Sequence, residues 1–249
     1  MIDFSLHEVF AKTMDTRLSY VKTIPQKILL ASADGGHSFN FLHQRYPNAT
    51  IDLVENRDDW IVAEKEAWKN NHNIWHRIRN KSPKLWQQNL TEPLPENQFD
   101  YVWSNLCFPD TELLTVWSNC LKEDGLLFLS TFGTDTLCEL SDFLQKPFTD
   151  LHDLGDLIAK HSGWKEAVTD TEKIKLNYQS IDKFKQDIKI LGLNKYLLEN
   201  DDTWDKIKEL MLSGRLQHIT LEIVYAHAVK KYSLPENVAT VHFYRNLPT

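Results

Sequence analysis

The chain contains only three cysteines, Cys107, Cys120 and Cys138, and no two of them share a CxxC spacing. That leaves no disulfide framework and suits free thiols in a reducing compartment, the cytoplasm. No apolar run approaches the roughly 20 residues of a membrane-spanning helix. The opening stretch MIDFSLHEVFAKTMDTRL carries acids and has no apolar leader core. Ten histidines include no HExxH or comparable spacing, so no metal site is expected. An excess of basic residues is missing too: the net charge of −7 argues against a nucleic-acid binder.

What is present is ordinary for a globular domain. Hydrophobic residues make up 42% and charged residues 25% of 249 positions, enough chain for one large domain with a substantial core. Basic residues gather in two places, Lys69, Arg77, Arg79, Lys81 and Lys84, and then Lys173, Lys175, Lys183, Lys185, Lys189 and Lys195. Such runs are solvated faces or docking surfaces for an acidic partner.

Apolar periodicity predicts an alternation of strands and helices. A helix over Phe4–Tyr20, with Phe4, Val9, Phe10, Thr13, Met14 and Leu18 inward, leads to a strand at Ile28–Ala31. A turn at Asp34-Gly35-Gly36 opens a helix over Ser38–Tyr46. Thr50–Glu55 is a second strand, Asp58–Lys69 a helix, Leu85–Gln88 a weak third strand and Phe99–Ser104 a fourth. A helix over Glu112–Leu121 and a turn at Glu123-Asp124-Gly125 precede a fifth strand, Leu126–Phe132. Helices are expected at Asp135–Leu144, Asp150–Lys160, Ile181–Leu191 and Thr203–Leu212, flanking an alternating stretch at Glu172–Tyr178, and Ile219–Val229 is a late strand. Repeated βαβ units mean a mostly parallel sheet covered on both faces. The expected division is a cofactor half over 1–133, a substrate-side helical insertion or lid over 134–218, and a sheet strand over 219–231.

Parallel sheets of this kind bind ligands beyond the carboxyl ends of their strands. The first strand, its turn and the following helix N-terminus lie there. Glu55, 19 residues after Gly36, ends the second strand where an acid can receive both hydroxyls of a ribose. Asn105 follows the fourth strand.

Three stretches sharpen this reading: FDYVWSNL at 99–106, KEDGLLFLSTFGTDTL at 122–137 and PFTDLHDLGD at 147–156. Together with Tyr178, Ile188–Gly192 and EIVYAHA at 222–228, they resemble the malonyl-acyl-carrier-protein O-methyltransferases of biotin synthesis, the BioC family, over roughly residues 4 to 231. The resemblance implies a Rossmann-like class I methyltransferase fold with a seven-stranded, mostly parallel sheet. It implies S-adenosyl-L-methionine (SAM) as cofactor and methyl transfer to the carboxylate of a malonyl thioester on an acyl carrier protein. The acidic carrier gives the Lys173–Lys195 face a docking role. A related branch, the mitochondrial complex I assembly factors, hydroxylates an arginine instead. The resemblance places Ser32, Asp34, Gly35, Gly36, Glu55, Asn56, Asn89, Leu90 and Asn105 around the cofactor, and Phe132, His152 and Tyr178 around the substrate.

Departures from the family pattern concentrate in that cofactor site. Its V-L-D-x-G-C-G-x-G run stands here as Ile28-Leu29-Leu30-Ala31-Ser32-Ala33-Asp34-Gly35-Gly36. Leu30 replaces the strand acid, and Ser32 and Asp34 replace two glycines, which implies side chains where the methionine end of SAM would lie. Leu90 stands where an acid receives the adenine amino group, with Asn89 and Glu92 beside it. The lead-in before Phe4 is short, and Tyr20 lies too near the first strand to stand for the family's active-site tyrosine. Cys107-Phe108-Pro109 replaces a longer loop, and no mid-chain arginine is present to clamp a substrate carboxylate. Two readings stay open: a methyltransferase with a remodelled site, or an inactive methyltransferase-fold scaffold that binds a partner, a homologous chain included. Trp60, Trp68, Trp75 and Trp86 would offer the scaffold an aromatic interface.

Overall fold

The computed structural model describes residues 2–71, 84–198 and 200–231. Its centre is a seven-stranded sheet in the order β3-β2-β1-β4-β5-β7-β6. The strands are β1 (Lys27–Ala31), β2 (Thr50–Val54), β3 (Leu85–Trp86), β4 (Phe99–Ser104), β5 (Leu121–Phe132), β6 (Trp164–Leu176) and β7 (Ile219–Lys230). The first five run parallel, and β7 is antiparallel to both β5 and β6. The chain starts in the middle at β1, walks to β3, returns across β1 to β4, and so makes its switch point between β1 and β4. That is where the sheet opens a crevice.

The helices are α1 (Ser5–Arg17), α2 (His37–Arg45), α3 (Asp58–Asn71), α4 (Thr111–Cys120), α5 (Leu151–Lys160), α6 (Ile181–Ile190) and α7 (Asp201–Leu212). Alternation along β1 divides the core in two. Ile28 and Leu30 join Phe10, Met14, Phe39, Trp103, Phe184 and Ile207 on the face covered by α1, α2, α6 and α7. Leu29 and Ala31 join Leu113, Trp117, Leu154, Ile158 and Trp164 on the face covered by α4 and α5. Asp100 fastens the strand starts together: one carboxylate oxygen accepts the N–H groups of Gln26 and Lys27, each at 2.8 Å, and the other takes Lys122 Nζ at 2.7 Å.

Most elements lie where periodicity predicts them, and the differences have local causes. No long helix covers 135–144, only a short 3₁₀ turn at Cys138–Phe143. The backbone there is tied to β7 instead, with Gly133 N–H donating to Glu222 O, Leu137 N–H to Thr220 O and Asp135 N–H to the Glu222 carboxylate. Glu123-Asp124-Gly125 is not a free turn but an irregularity inside β5, where the register with β4 shifts and Asp124 takes φ +56°. Most of the alternating stretch at 172–178 belongs to a longer strand, β6, which ends at Leu176, forms the sheet edge and carries Lys165, Glu166, Asp170, Glu172, Lys173 and Lys175 along it. Val9 is 46% exposed; His7 and Ala11 face inward on α1 in its place.

Among the described tryptophans, Trp60 and Trp68 pack on the first core and Trp86 on the second, so none of the three stands as a separate aromatic surface. Trp75, Arg77, Arg79 and Lys81 lie outside the described residues. No helix among the described residues is long and apolar enough to cross a membrane.

Candidate functional site

The turn after β1 forms the floor of the crevice. Ser32 holds φ +86°, so the serine that replaces a glycine keeps a left-handed backbone, which L-residues adopt at a cost of roughly 1 kcal/mol. Gly35 and Gly36 follow at φ +75° and +86°. Both are also needed for space: a Cβ on Gly35 would sit 2.5 Å from the Phe4 ring, and one on Gly36 would sit 2.5 Å from Ala67 Cβ of α3.

Asp34 does not face the crevice, contrary to its expected place beside the methionine end of SAM. It is 1% exposed and turned under the turn to cap α2, where its carboxylate accepts Ser38 N–H at 3.1 Å and Ser38 Oγ–H at 2.6 Å. Unpaired N–H groups and the positive end of a helix make this the favourable seat for a short acid. Beneath the same turn, Glu64 Oε2 accepts the N–H groups of Asp34 (3.2 Å) and Gly36 (2.7 Å). Burial and the nearby Asp34 charge push Glu64 up to about 8. The turn's N–H groups are therefore partly used by the protein itself.

Glu55 stands at the tip of β2, 2% exposed. Its carboxylate accepts six hydrogen bonds: Ser32 Oγ, the N–H groups of Ala33, Asn56 and Arg57, and Nε and Nη2 of the Arg57 side chain. A carboxylate offers about four lone-pair sites, so this acceptor is saturated. Burial pushes the Glu55 carboxyl up, but the Arg57 hydrogen bonds and charge outweigh it and hold the group below its ordinary range. Arg57 also bonds Ser32 Oγ at 2.8 Å and sits over Trp60, its guanidinium carbon 3.4 Å from the ring centroid.

Trp60 meets Phe4 and His7 edge to face, with centroids 4.7 and 5.5 Å apart. The buried His7 imidazole is held neutral, its pKa lowered to about 3 by burial and by the Arg57 and His37 charges. His7 O takes the amide of Asn105 at 2.9 Å, and the same amide reaches Asp34 at 2.9 Å while Ser130 Oγ–H donates to its oxygen at 3.2 Å. Asn105 thus fastens α1 to the tip of β4. On the far side, Asn56 donates to Asn89, which in turn donates to Glu92.

A hollow of about 340 Å³ remains above these groups, walled by Ser32, Glu55, Arg57, Leu90, Asn105 and Phe108 and closed on the other side by Ile190–Gly192 and Lys195. Of the residues expected around a cofactor, the structure brings Ser32, Glu55, Asn56, Leu90 and Asn105 to this hollow. It places Asp34 beneath the turn and Asn89 behind Asn56. Of the three expected around a substrate, Phe132 is buried behind Phe108, 5.9 Å between centroids. Tyr178 bonds Asp187 on α6 at 3.0 Å, and burial with that carboxylate raises its hydroxyl. His152 lies exposed at the start of α5, on the opposite layer from α6. Sequence reasoning passed over Arg57, His7 and Glu64, and placed Lys195 on a docking face rather than at the hollow. Arg57 had a readable signal, a cation two residues after the strand-end acid; His7 and Glu64 depend on packing between distant segments.

The residues do not fit an adenosyl ribose as they stand, since the acid that should receive its hydroxyls is gripped by Arg57 and backbone donors. No protein-family model matches the chain. It is 28% identical over 246 residues to the malonyl-[acyl-carrier protein] O-methyltransferase of Laribacter hongkongensis, covering 89% of this chain and 82% of that protein. The enzyme of the same name from Gallionella capsiferriformans is 29% identical, over 86% and 80%. Among solved structures, YcgJ of Bacillus subtilis superposes with a TM-score of 0.63 at 13% identity, covering 91% of this chain and all of that one. A Haemonchus contortus phosphoethanolamine N-methyltransferase, solved with S-adenosylhomocysteine, gives 0.53 at 16% identity over 89% and 52%. With its switch-point crevice and its antiparallel β7, the chain is a homologue of the malonyl-acyl-carrier-protein O-methyltransferases built on the class I methyltransferase fold.

Proposed function

We propose that this homologue binds the kind of ligand its relatives are named for, a carboxylated acyl group on an acidic carrier, without turning over SAM while Arg57 is seated on Glu55. It is a methyltransferase fold put to use as a binding protein in the cytoplasm. The observation that carries this reading is the saturation of Glu55 by six donors from its own chain. A ribose would have to displace a two-pronged charged hydrogen bond, the strong kind. The segment 134–218 is the ligand-side cover in this reading, since Ile190–Gly192 and Lys195 close the hollow.

A carrier would meet a smaller basic face than the sequence suggests. Lys173 is paired with Asp135, and Lys183 with Asp3 and Asp187. Lys175, Lys185 and Lys189 make no ion pair within 4.0 Å among the described residues and remain for an acidic partner.

Calorimetric titration with SAM and S-adenosylhomocysteine, alongside mass spectrometry of malonyl-acyl carrier protein incubated with SAM, tests the reading. Silence at millimolar cofactor with no methyl ester supports it. Micromolar binding together with a methyl ester overturns it in favour of a second reading, an O-methyltransferase in which the incoming cofactor displaces Arg57. The hollow of about 340 Å³ at the strand tips supports that second reading.

A further inference from the structure

Two cations touch the hollow, and they differ in kind. Arg57 is neutralised by Glu55 at 2.7 Å. Lys195 has no carboxylate within 4.0 Å among the described residues. Its ammonium lies 3.4 Å from the centroid of Phe108 and 5.7 Å from that of Tyr196. The neighbouring charge is another cation, Lys146, whose ammonium lies 4.5 Å from the same Tyr196 ring. Two ammonium groups thus share one aromatic platform, and neither makes an ion pair within 4.0 Å among the described residues. Lys195 is exposed as a residue, and partial burial, followed by the Lys146 charge, lowers its pKa.

The surroundings restrict what the counter-charge can be. The Phe108 ring tilts against Phe132 and Tyr196 at 5.9 and 5.5 Å, and Tyr196 stacks on Phe148 at 4.1 Å. Leu106 and Leu191 also line the hollow. Burial pushes the Cys107 thiol up to about 12, so it contributes no charge. The C-terminal end of α6 reaches the hollow at Ile190, bringing the negative end of a helix dipole. A dianionic phosphate wants several N–H donors and a helix N-terminus; this wall supplies one ammonium and a helix C-terminus. A singly charged carboxylate on an apolar stem is the anion that one ammonium balances, and the α6 C-terminus opposes it less than it opposes a dianion.

The geometry points to a carboxylate-binding position at Lys195, with Phe108 and Tyr196 supporting the acyl stem of the ligand. This deepens the proposed function, resting on its reading of the hollow as an acyl-ligand site but not on whether SAM is turned over. Lys195 here positions the ligand; it takes no part in bond making.

The test uses the full chain and three probes: monomethyl glutarate with one carboxylate, dimethyl glutarate with none, and inorganic phosphate. The wild type is expected to bind the monoester in the millimolar range and at least tenfold more tightly than the diester. In Lys195→Gln the monoester should fall to the diester's level, and Lys195→Arg should keep most of the difference. Unchanged thermal melting of the Lys195→Gln chain secures that loss as local. Equal binding of monoester and diester, an unaffected Lys195→Gln, or a preference for phosphate each overturns the assignment. S-adenosylhomocysteine added to the same samples reads the cofactor question separately, so the failure of one reading is not taken for the failure of the other.

Discussion

Asp34 and Glu64 are two buried carboxyl groups packed against one turn, and only one of them has donors for both oxygens. Asp34 is served by Ser38 and Asn105, whereas Glu64 Oε1 has no partner among the described residues. With its pKa near 8, Glu64 is a neutral acid at neutral pH.

A pH dependence follows from that contrast. The folded pKa of Glu64 is raised above its unfolded value of 4.5, so its contribution is fully present below 4.5 and is lost as pH rises through about 8. Urea unfolding between pH 5 and 8 should show the wild type losing stability relative to Glu64→Gln, by up to about 1.4 kcal/mol per pH unit for the one proton involved. Parallel stability profiles for the two proteins would show that Glu64 does not titrate in this way.

Removing the Arg57 side chain frees two of the six positions on Glu55. Arg57→Ala should therefore bind S-adenosylhomocysteine at least tenfold more tightly than the wild type, a gain of about 1.4 kcal/mol or more by calorimetry. Equal affinity of the two proteins would mean that the saturated carboxylate is not what keeps the ribose out.

Phe4 and Gly35 should couple energetically. Gly35→Ala meets both a left-handed φ and the Phe4 ring, and should cost about 2 kcal/mol in denaturant unfolding. Phe4→Ala should cost about 3 kcal/mol by cavity formation. The double substitution should cost less than the sum by at least 0.5 kcal/mol, since the shorter side chain removes the clash. Strict additivity would mean that the two residues do not press on each other.

Asp100→Asn should weaken the clasp between the strand starts by about 2 kcal/mol at neutral pH, the scale of hydrogen bonds to a charged group. Burial pushes the Asp100 carboxyl up, but its bonds with Lys122, Lys27 and Gln26 outweigh this and lower its pKa. The charged form's contribution is thus present above the ordinary value of 3.8 and lost as pH falls below it. The difference between Asp100→Asn and wild type should shrink in urea melts carried toward pH 3, and a constant difference would contradict the assignment.

The sheet was legible in the residues because buried parallel strands announce themselves as short apolar runs, as in KILLA and FDYVWS. The helices over 111–120, 151–160 and 181–190 were legible from their apolar spacing, and the structure shows Asp110, Asp150 and Ser180 capping them. What stayed hidden were pairings between distant segments. Nothing local tells that Asp135–Leu137 will be tied to Thr220 and Glu222, which replaces a helix by a turn. The site followed the same division. The strand-end acid Glu55 and the degenerate glycine turn could be read directly. The inward rotation of Asp34, the seating of Arg57 on Trp60 and the lone ammonium of Lys195 arise only when α1, α3 and the segment after α6 converge.

The charged row along β6 has a consequence for assembly. A thirteen-residue edge strand would be an open invitation to a second sheet if it were flat and apolar. Lys165, Glu166, Asp170, Glu172, Lys173 and Lys175 make that border costly to dehydrate, which disfavours strand-to-strand continuation by a neighbouring chain.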